Sequence, residues 1–341
     1  MTSVRISAVE WGTYSDAEKS FVIDLLFGTW REKGFPHYIL TEEERNKEFQ
    51  KLAAFDTTNL IANNVVGQTL HALGLAWHYF PHHWSVRTGK MLTPVDVWEN
   101  DDLLKKALFS RLKWGGYSIT DGVPSITLSS MRKAVRSYSG VQRVSNFRPS
   151  AAKAIYNFFP NVETVWDMSS GFGGRLFGFL SSKAKHYVGT DPAVETFRGL
   201  EAIGDEWAAR LGKSVDLHNV GSEVFEPEAQ VFDLCFTSPP YFSREKYSED
   251  EGQSFKKFDS INDWNDGFLR QTFENCRQGL KADGVLAMNV ANVKEHPNLV
   301  ADVEKIAVQL GFEQLETMQY ALSSISKGGL KYEPILVFRK K

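Results

Sequence analysis

A chain of 341 residues has room for one large domain or two ordinary ones, with ample length for a buried core. Its 42% hydrophobic and 24% charged residues are ordinary for a soluble globular protein, and a net charge of −3 does not by itself suggest a nucleic-acid partner. No apolar run is long enough to span a membrane, and the first residues lack a charged-then-apolar signal pattern. Two cysteines far apart, Cys235 and Cys276, make neither a disulfide framework nor a zinc spacing, so a reducing, cytoplasmic setting is expected.

Charge is unevenly spread. Residues 1–150 carry 18 Lys and Arg against 15 Asp and Glu, while the remainder carries 21 against 27. Between Gly122 and Val162 there is no acidic residue, and Arg132, Lys133, Arg136, Arg143, Arg148 and Lys153 all fall there. Such a stretch suits phosphate contact, although a solvated helix face reads the same way on charge alone.

In chain order, residues 1–130 read as a separate, mainly helical and aromatic-rich region, and 131–341 as a catalytic domain with a basic lead-in. Thr41-Glu42-Glu43-Glu44 has capping-box spacing and opens a helix to about residue 55. Apolar residues Ile61, Val65, Val66, Leu70 and Leu73 predict a second helix over 59–75, and 101–114 predicts a third before Gly115-Gly116. The run from Trp77 to Trp84 is dense in rings. His78 and His82 stand four apart, but Pro81 interrupts the helix and no third ligand is evident, so no metal is assigned. Packing against the second domain, or stacking on nucleic acid, better suits these rings.

From residue 163 onward short apolar runs alternate with helical stretches. Strands are expected at 163–168, 186–191, 214–220, 232–238 and 284–291, with helices near 173–182, 193–211, 262–280 and 297–310. That alternation predicts a parallel sheet with helices on both faces. Two final strands, 312–321 and 333–339, joined without a helix, add an antiparallel hairpin.

The first of these strands runs into a glycine-rich turn and then a helix, with Asp167, Ser169, Gly171, Phe172 and Gly173 at the junction. Glycines let the backbone turn sharply and a ligand approach without a Cβ in the way. Asp191 ends the next strand, where a carboxylate can accept hydrogen bonds from both ribose hydroxyls of a nucleoside cofactor. A dinucleotide site would need further glycine spacing, and its pyrophosphate would be repelled by Asp167.

The 232–238 strand ends in Ser238-Pro239-Pro240-Tyr241. Two prolines fix φ and remove two donors, so the carbonyls there are aimed by the covalent structure. With the Ser238 hydroxyl and the flat Tyr241 ring, they make a site for a planar group carrying an amino group. The tetrapeptide resembles motif IV of the S-adenosylmethionine-dependent amino-methyltransferases, and Asp167, Gly171 and Gly173 resemble their motif I. Seven strands with a terminal hairpin, over about 145–341, resemble the class I methyltransferase fold, a Rossmann-like α/β sheet, mostly parallel.

The resemblance implies S-adenosylmethionine as cofactor, whose amino group and sulfonium Asp167 would attract. It implies that Phe147, Arg148 and Pro149 stand at the place of motif X, around the methionine end; family members often have His-Pro there, and this departure from it leaves Arg148's role open. Ser222 would stand near the cofactor adenine. Ser238 and the Pro239 carbonyl would draw on the amino hydrogens of adenine (N6) or cytosine (N4) in DNA, with the base flipped out and stacked on Tyr241. Phe242 to Ile261 reads as a mobile loop over the substrate, and the style resembles enzymes of phages and mobile elements. RNA, a protein glutamine (the release-factor methyltransferases, which carry Asn-Pro-Pro-Tyr), or a silent nucleic-acid-binding relative remain open.

Overall fold

The computed structural model describes residues 3–87, 89–142, 144–242, 246, 248, 250–322 and 331–341. They build two compact units, each from two stretches of chain: Met1–Tyr38 with Pro81–Val144, and Ile39–Phe80 with Ser145–Lys341. A single boundary at residue 130 is therefore replaced by an exchange of segments. The 39–80 stretch belongs with the sheet, and 131–144 with the smaller unit.

The smaller unit is helical with one small sheet. Ser7, Ser15 and Thr93 each open a helix with a reciprocal capping box to Glu10, Glu18 and Asp96. Leu104, Leu108 and Leu112 of the Asp101–Gly115 helix are fully buried beside Leu26, Trp84 and Met131. Tyr117–Thr120 and Val123–Ser125 form a hairpin, with Ser3–Ile6 paired on its other side. The turn is Asp121-Gly122, with φ of 50° and 81°, the Asp-Gly signal for a two-residue hairpin.

The larger unit is built on a mixed sheet. Seven strands run in the order Met318–Leu322, Lys331–Lys340, Leu280–Asn289, Phe232–Thr237, Thr164–Asp167, His186–Thr190 and Ser214–His218. Lys331–Lys340 pairs antiparallel with both its neighbours, while the strands from Leu280–Asn289 to Ser214–His218 are parallel. Leu234, Cys235 and Phe236 are all fully buried, so the central strand is covered on both faces, as parallel strands require. Each such large side chain contributes about 1.5–3 kcal/mol.

Three expected elements differ. The 59–75 helix is instead a hairpin, Ile61–Ala62 with Val65–Val66, that extends the sheet beside Met318–Leu322. Asn63 and Asn64 take φ of 50° and 58°, a primed turn that Asn tolerates, and the β-branched valines favour the strand. Only Leu73–His78 is helical there. The 262–280 helix carries a π-helical stretch at Asn265–Arg270. The 312–321 strand splits into Phe312–Gln314 and Met318–Leu322, and the loop that follows it lies at 323–330, outside the described residues. Among the described residues no helix is long and apolar enough to cross a membrane.

Candidate active site

The chain order of the parallel strands reverses between Thr164–Asp167 and Phe232–Thr237, and a sheet of this type binds ligands outside the strand ends at such a reversal. Register puts Val165 opposite Leu234 and Trp166 opposite Cys235, so Asp167 and Thr237 end their strands side by side. They touch. The Thr237 hydroxyl donates to the Asp167 carboxylate at 2.9 Å. The other Asp167 oxygen takes the Arg175 Nε at 2.8 Å and the Tyr187 hydroxyl at 2.8 Å. Arg175 also donates to the Ser169 carbonyl and, at 3.3 Å, to Thr237.

Asp167 has no exposed surface. Its charge is met by Arg175, a buried guanidinium. Through Arg175, Tyr187 and Thr237 it ties the turn to both neighbouring strands. Burial pushes the Tyr187 hydroxyl well above its usual range, with the Asp167 charge adding to it, so Tyr187 stays a donor.

The turn itself is as the glycines suggest. Gly171 and Gly173 take φ of 57° and 70°. A Cβ on Gly174, which opens the helix Gly174–Leu180, would fall 1.9 Å from the Phe147 carbonyl. Asn146 holds the same approach by donating to the Phe172 carbonyl at 2.8 Å. Asp191, just beyond its strand, accepts from the Gly171 N–H at 2.9 Å and the Ala193 N–H at 3.0 Å. Burial pushes its carboxyl up to about 6, against the pull of those two donors. Each oxygen retains a further lone pair for a ribose hydroxyl.

Ser238 is half-buried, Pro239 buried, and Pro240 and Tyr241 half-buried at the same end of the sheet, directly after Thr237. Tyr241 packs with Phe242 against the core cluster that contains Trp264. Phe147 lies stacked on Tyr320 at 4.6 Å and edge-on to Phe236 at 5.3 Å, which brings the segment before Pro149 to the Ser-Pro-Pro strand. Pro149 is the first helical residue of Pro149–Phe158, where its missing donor costs nothing. The Arg148 Nε donates to Gln68 at 2.6 Å.

Ser222 follows the strand Ser214–His218. It is buried, and its hydroxyl is shared with Thr272 at 2.8 Å, so that bond competes with any contact to a cofactor ring. The adjacent Glu223 is the group that the sequence reading passed over. One of its oxygens meets Lys257 at 2.6 Å, and the other is buried with no hydrogen-bond partner among the described residues.

Described residues after Tyr241 are tied to two helices. Asp250 accepts from the Val194 N–H at 3.0 Å, at the start of the helix Val194–Trp207, and Ser254 accepts from the buried Trp264 at 3.1 Å. Arg244 and Tyr247 of that expected loop, like Arg143 of the basic stretch, lie outside the described residues.

Most of the basic stretch has internal duties. Lys153 is buried and donates to the carbonyls of Leu52, Ala53 and Phe55, capping the Glu42–Ala54 helix. Arg132 donates to the Pro36 and His37 carbonyls and lies 3.9 Å from the Tyr38 ring centroid, and Arg136 donates to the Tyr38 hydroxyl. Lys133 is exposed. The ring-rich run is core: Trp77 and Phe80 pack on Phe172, at 5.4 and 5.7 Å, and Trp84 is buried in the smaller unit.

Residues 232–341 match the family described as N6_N4_Mtase, DNA methylase. No curated protein matches the chain. Among solved structures it is similar to an S-adenosylmethionine-dependent methyltransferase of Methanosarcina mazei, at 12% identity over 55% of this chain and 96% of that one, TM-score 0.39. It is also similar to a TehB-like S-adenosylmethionine-dependent methyltransferase of Corynebacterium glutamicum, at 17% identity over 62% and 96%, TM-score 0.37. A third is the N-methyltransferase NodS of Bradyrhizobium japonicum, at 12% identity over 56% and 93%, TM-score 0.36. Strand order and the antiparallel Lys331–Lys340 strand decide the matter.

The fold is that of a class I methyltransferase.

This methyltransferase fold implies S-adenosylmethionine, and the residues present fit it. Gly171 leaves open space where a Cβ would stand, with only the Ser169 carbonyl at 3.8 Å, and Asp191 offers the acceptor pair that a ribose diol needs.

Proposed function

We propose that this chain transfers a methyl group from S-adenosylmethionine to the exocyclic amino nitrogen of adenine or cytosine in DNA. The observation that carries the proposal is the Thr237–Asp167 hydrogen bond, which fixes the Ser238-Pro239-Pro240 acceptors beside the glycine turn. The partial match to a DNA methylase family, over the half of the sheet that contains this tetrapeptide, supports the same reading.

The roles follow from the chemistry of an amino group conjugated to a ring. Its lone pair is delocalised, so it is a poor nucleophile until both N–H bonds are drawn to acceptors. The Ser238 hydroxyl oxygen and the Pro239 carbonyl are those acceptors, pre-aimed by two prolines, and they stabilise positive charge that builds on nitrogen only as the new bond forms. Asp191 holds the ribose hydroxyls of the cofactor. Bound there, S-adenosylmethionine supplies an electrophilic methyl group. Tyr241 supplies a ring for a base turned out of the helix. The smaller unit serves target recognition.

Labelled methyl transfer to duplex DNA, single-stranded DNA, total RNA and total protein, run in parallel, tests the proposal. Incorporation into DNA well above the other three is expected. Incorporation into RNA or protein alone would replace DNA by that substrate.

A further inference from the structure

The stretch 103–144 holds eight Lys and Arg and one acidic residue, Asp121, in a chain whose net charge is −3. Much of that charge is spent inside the smaller unit. Arg132 and Arg136 are bonded as described, and Lys105 pairs with Asp24 at 2.8 Å. Left outward are Lys133 and, on the helix Asp101–Gly115, Lys106 and Lys113.

That helix is two-faced. Leu104, Ala107, Leu108 and Leu112 are buried, while Lys106, Phe109, Ser110, Lys113 and Trp114 are exposed, as are Asp101 and Asp102 in the first turn. Phe109, Ser110, Lys113 and Trp114 fall at intervals of three, four, seven and eight from Lys106, which is one continuous face of an α-helix. Among the described residues neither Lys106 nor Lys113 makes an ion pair. They lie two turns apart, about 10 Å along the axis.

Trp114 is the second observation. Seven of the nine tryptophans are buried and Trp98 is half-buried, whereas Trp114 is 78% exposed. Phe109, 44% exposed, has an interior partner in Trp11, with ring centroids 6.0 Å apart. Trp114 makes no such ring contact among the described residues. An indole contributes stability by burial, so folding does not require one here. Cations beside an aromatic face suit a ligand with phosphates and flat rings. The helix dipole favours Lys113 in the last turn, and Asp102, four residues before Lys106, gives Lys106 a helical neighbour of opposite charge, so Lys113 and Trp114 are the first indication of a ligand.

We infer that the outward face of Asp101–Gly115 is a nucleic-acid contact surface, with Lys106 and Lys113 on phosphates and Trp114 against a sugar or base. This rests on the proposed DNA reaction, and names where the smaller unit would contact its substrate. An acidic polypeptide is the competing occupant, and the phosphate polymer is favoured because Trp114 has no use for a carboxylate.

The test is fluorescence anisotropy of a labelled mixed-sequence duplex and its single strand, titrated with the full chain over a range of salt. Lys106→Ala with Lys113→Ala should lower the slope of log affinity against log salt by nearly two on the duplex. Trp114→Ala should weaken single-strand binding by about 5- to 150-fold, and Trp114→Phe should recover most of it. All the substituted side chains are exposed, so melting temperatures should not move, and cofactor binding should be intact. Unchanged affinity and slope, with methyl transfer to DNA intact, would overturn this surface and leave the reaction standing. No DNA binding by the unaltered chain would overturn both. Variants that lose polyglutamate binding but keep DNA binding would give the face to an acidic protein instead.

Discussion

The hydroxyl of Thr237 donates to the carboxylate of Asp167 across 2.9 Å, and through that bond the end of the Phe232–Thr237 strand is fixed to the end of the Thr164–Asp167 strand. Both groups are buried, and Asp167 is also met by Arg175 and Tyr187. Positioning of two ligands in one geometry can contribute a large part of a transfer rate, and a misplacement of about 1 Å costs on the order of a hundredfold.

Thr237→Val removes the donor at nearly constant volume. An Asp167 oxygen short of a hydrogen bond should cost about 1–3 kcal/mol of stability, read as a fall in melting temperature. Turnover should fall more than the cofactor's KM rises, because the bond aims Ser238, and Thr237→Ser should restore most of both.

Arg175→Leu leaves Asp167 buried and without its counter-charge, a loss of about 3–5 kcal/mol. The double variant with Asp167→Asn should be more stable than Arg175→Leu alone, since no buried charge then remains. Equal stability of the single and double variants would mean that the charge is compensated elsewhere.

Asp191 gives a pH dependence. Its folded-state value of about 6 stands above the ordinary 3.8, so between those values the native chain binds more protons than the unfolded one. Stability from this group therefore declines as pH rises from about 4 to about 6 and is level above that. Cofactor affinity should run the other way, rising through about pH 6 as the carboxylate forms, with proton release on binding near that pH. Calorimetry in buffers of different ionisation enthalpy measures both, and Asp191→Asn should abolish the release and weaken binding by about 1.5–3 kcal/mol per lost bond, before compensation.

Tyr241→Ala should lose about 1–3 kcal/mol of base stabilisation, and Tyr241→Phe or Trp should keep most of it. Because Tyr241 also packs on the core cluster, melting is measured alongside. A duplex mismatched at the target base should rescue the alanine variant in part, since unpairing is then cheaper. Full activity of the alanine variant on a paired duplex would leave Tyr241 as a packing residue.

The carboxy-terminal sheet was legible because its signals are local: apolar runs of strand length, helical periods between them, and turns marked by Gly171, Gly173 and Pro239. The hairpin at Asn63-Asn64 was not, since its valines and isoleucine also fit a helical face and only the turn chemistry separates the two. Partners distant in sequence were invisible for a different reason. Nothing near Asp167 announces that Thr237, 70 residues on, or Arg175 will meet its carboxylate. Lys153 likewise reads as one more surface cation until the carbonyls of residues 52, 53 and 55 close on it. Ser222 and Glu223 are neighbours, and only Thr272 shows which has its hydrogen bonds spent.

The central claim is that the acceptors of Ser238 and Pro239 direct a methyl group onto a base amino nitrogen. Mass analysis of nucleosides from DNA digested after reaction with the cofactor tests it most directly. The account predicts N6-methyladenine or N4-methylcytosine from the unaltered chain, and a sharp loss of that product, with cofactor affinity kept, from Ser238→Ala. A methyl group on a ring carbon, such as 5-methylcytosine, would contradict it, as would no methylated nucleoside from a chain that binds the cofactor.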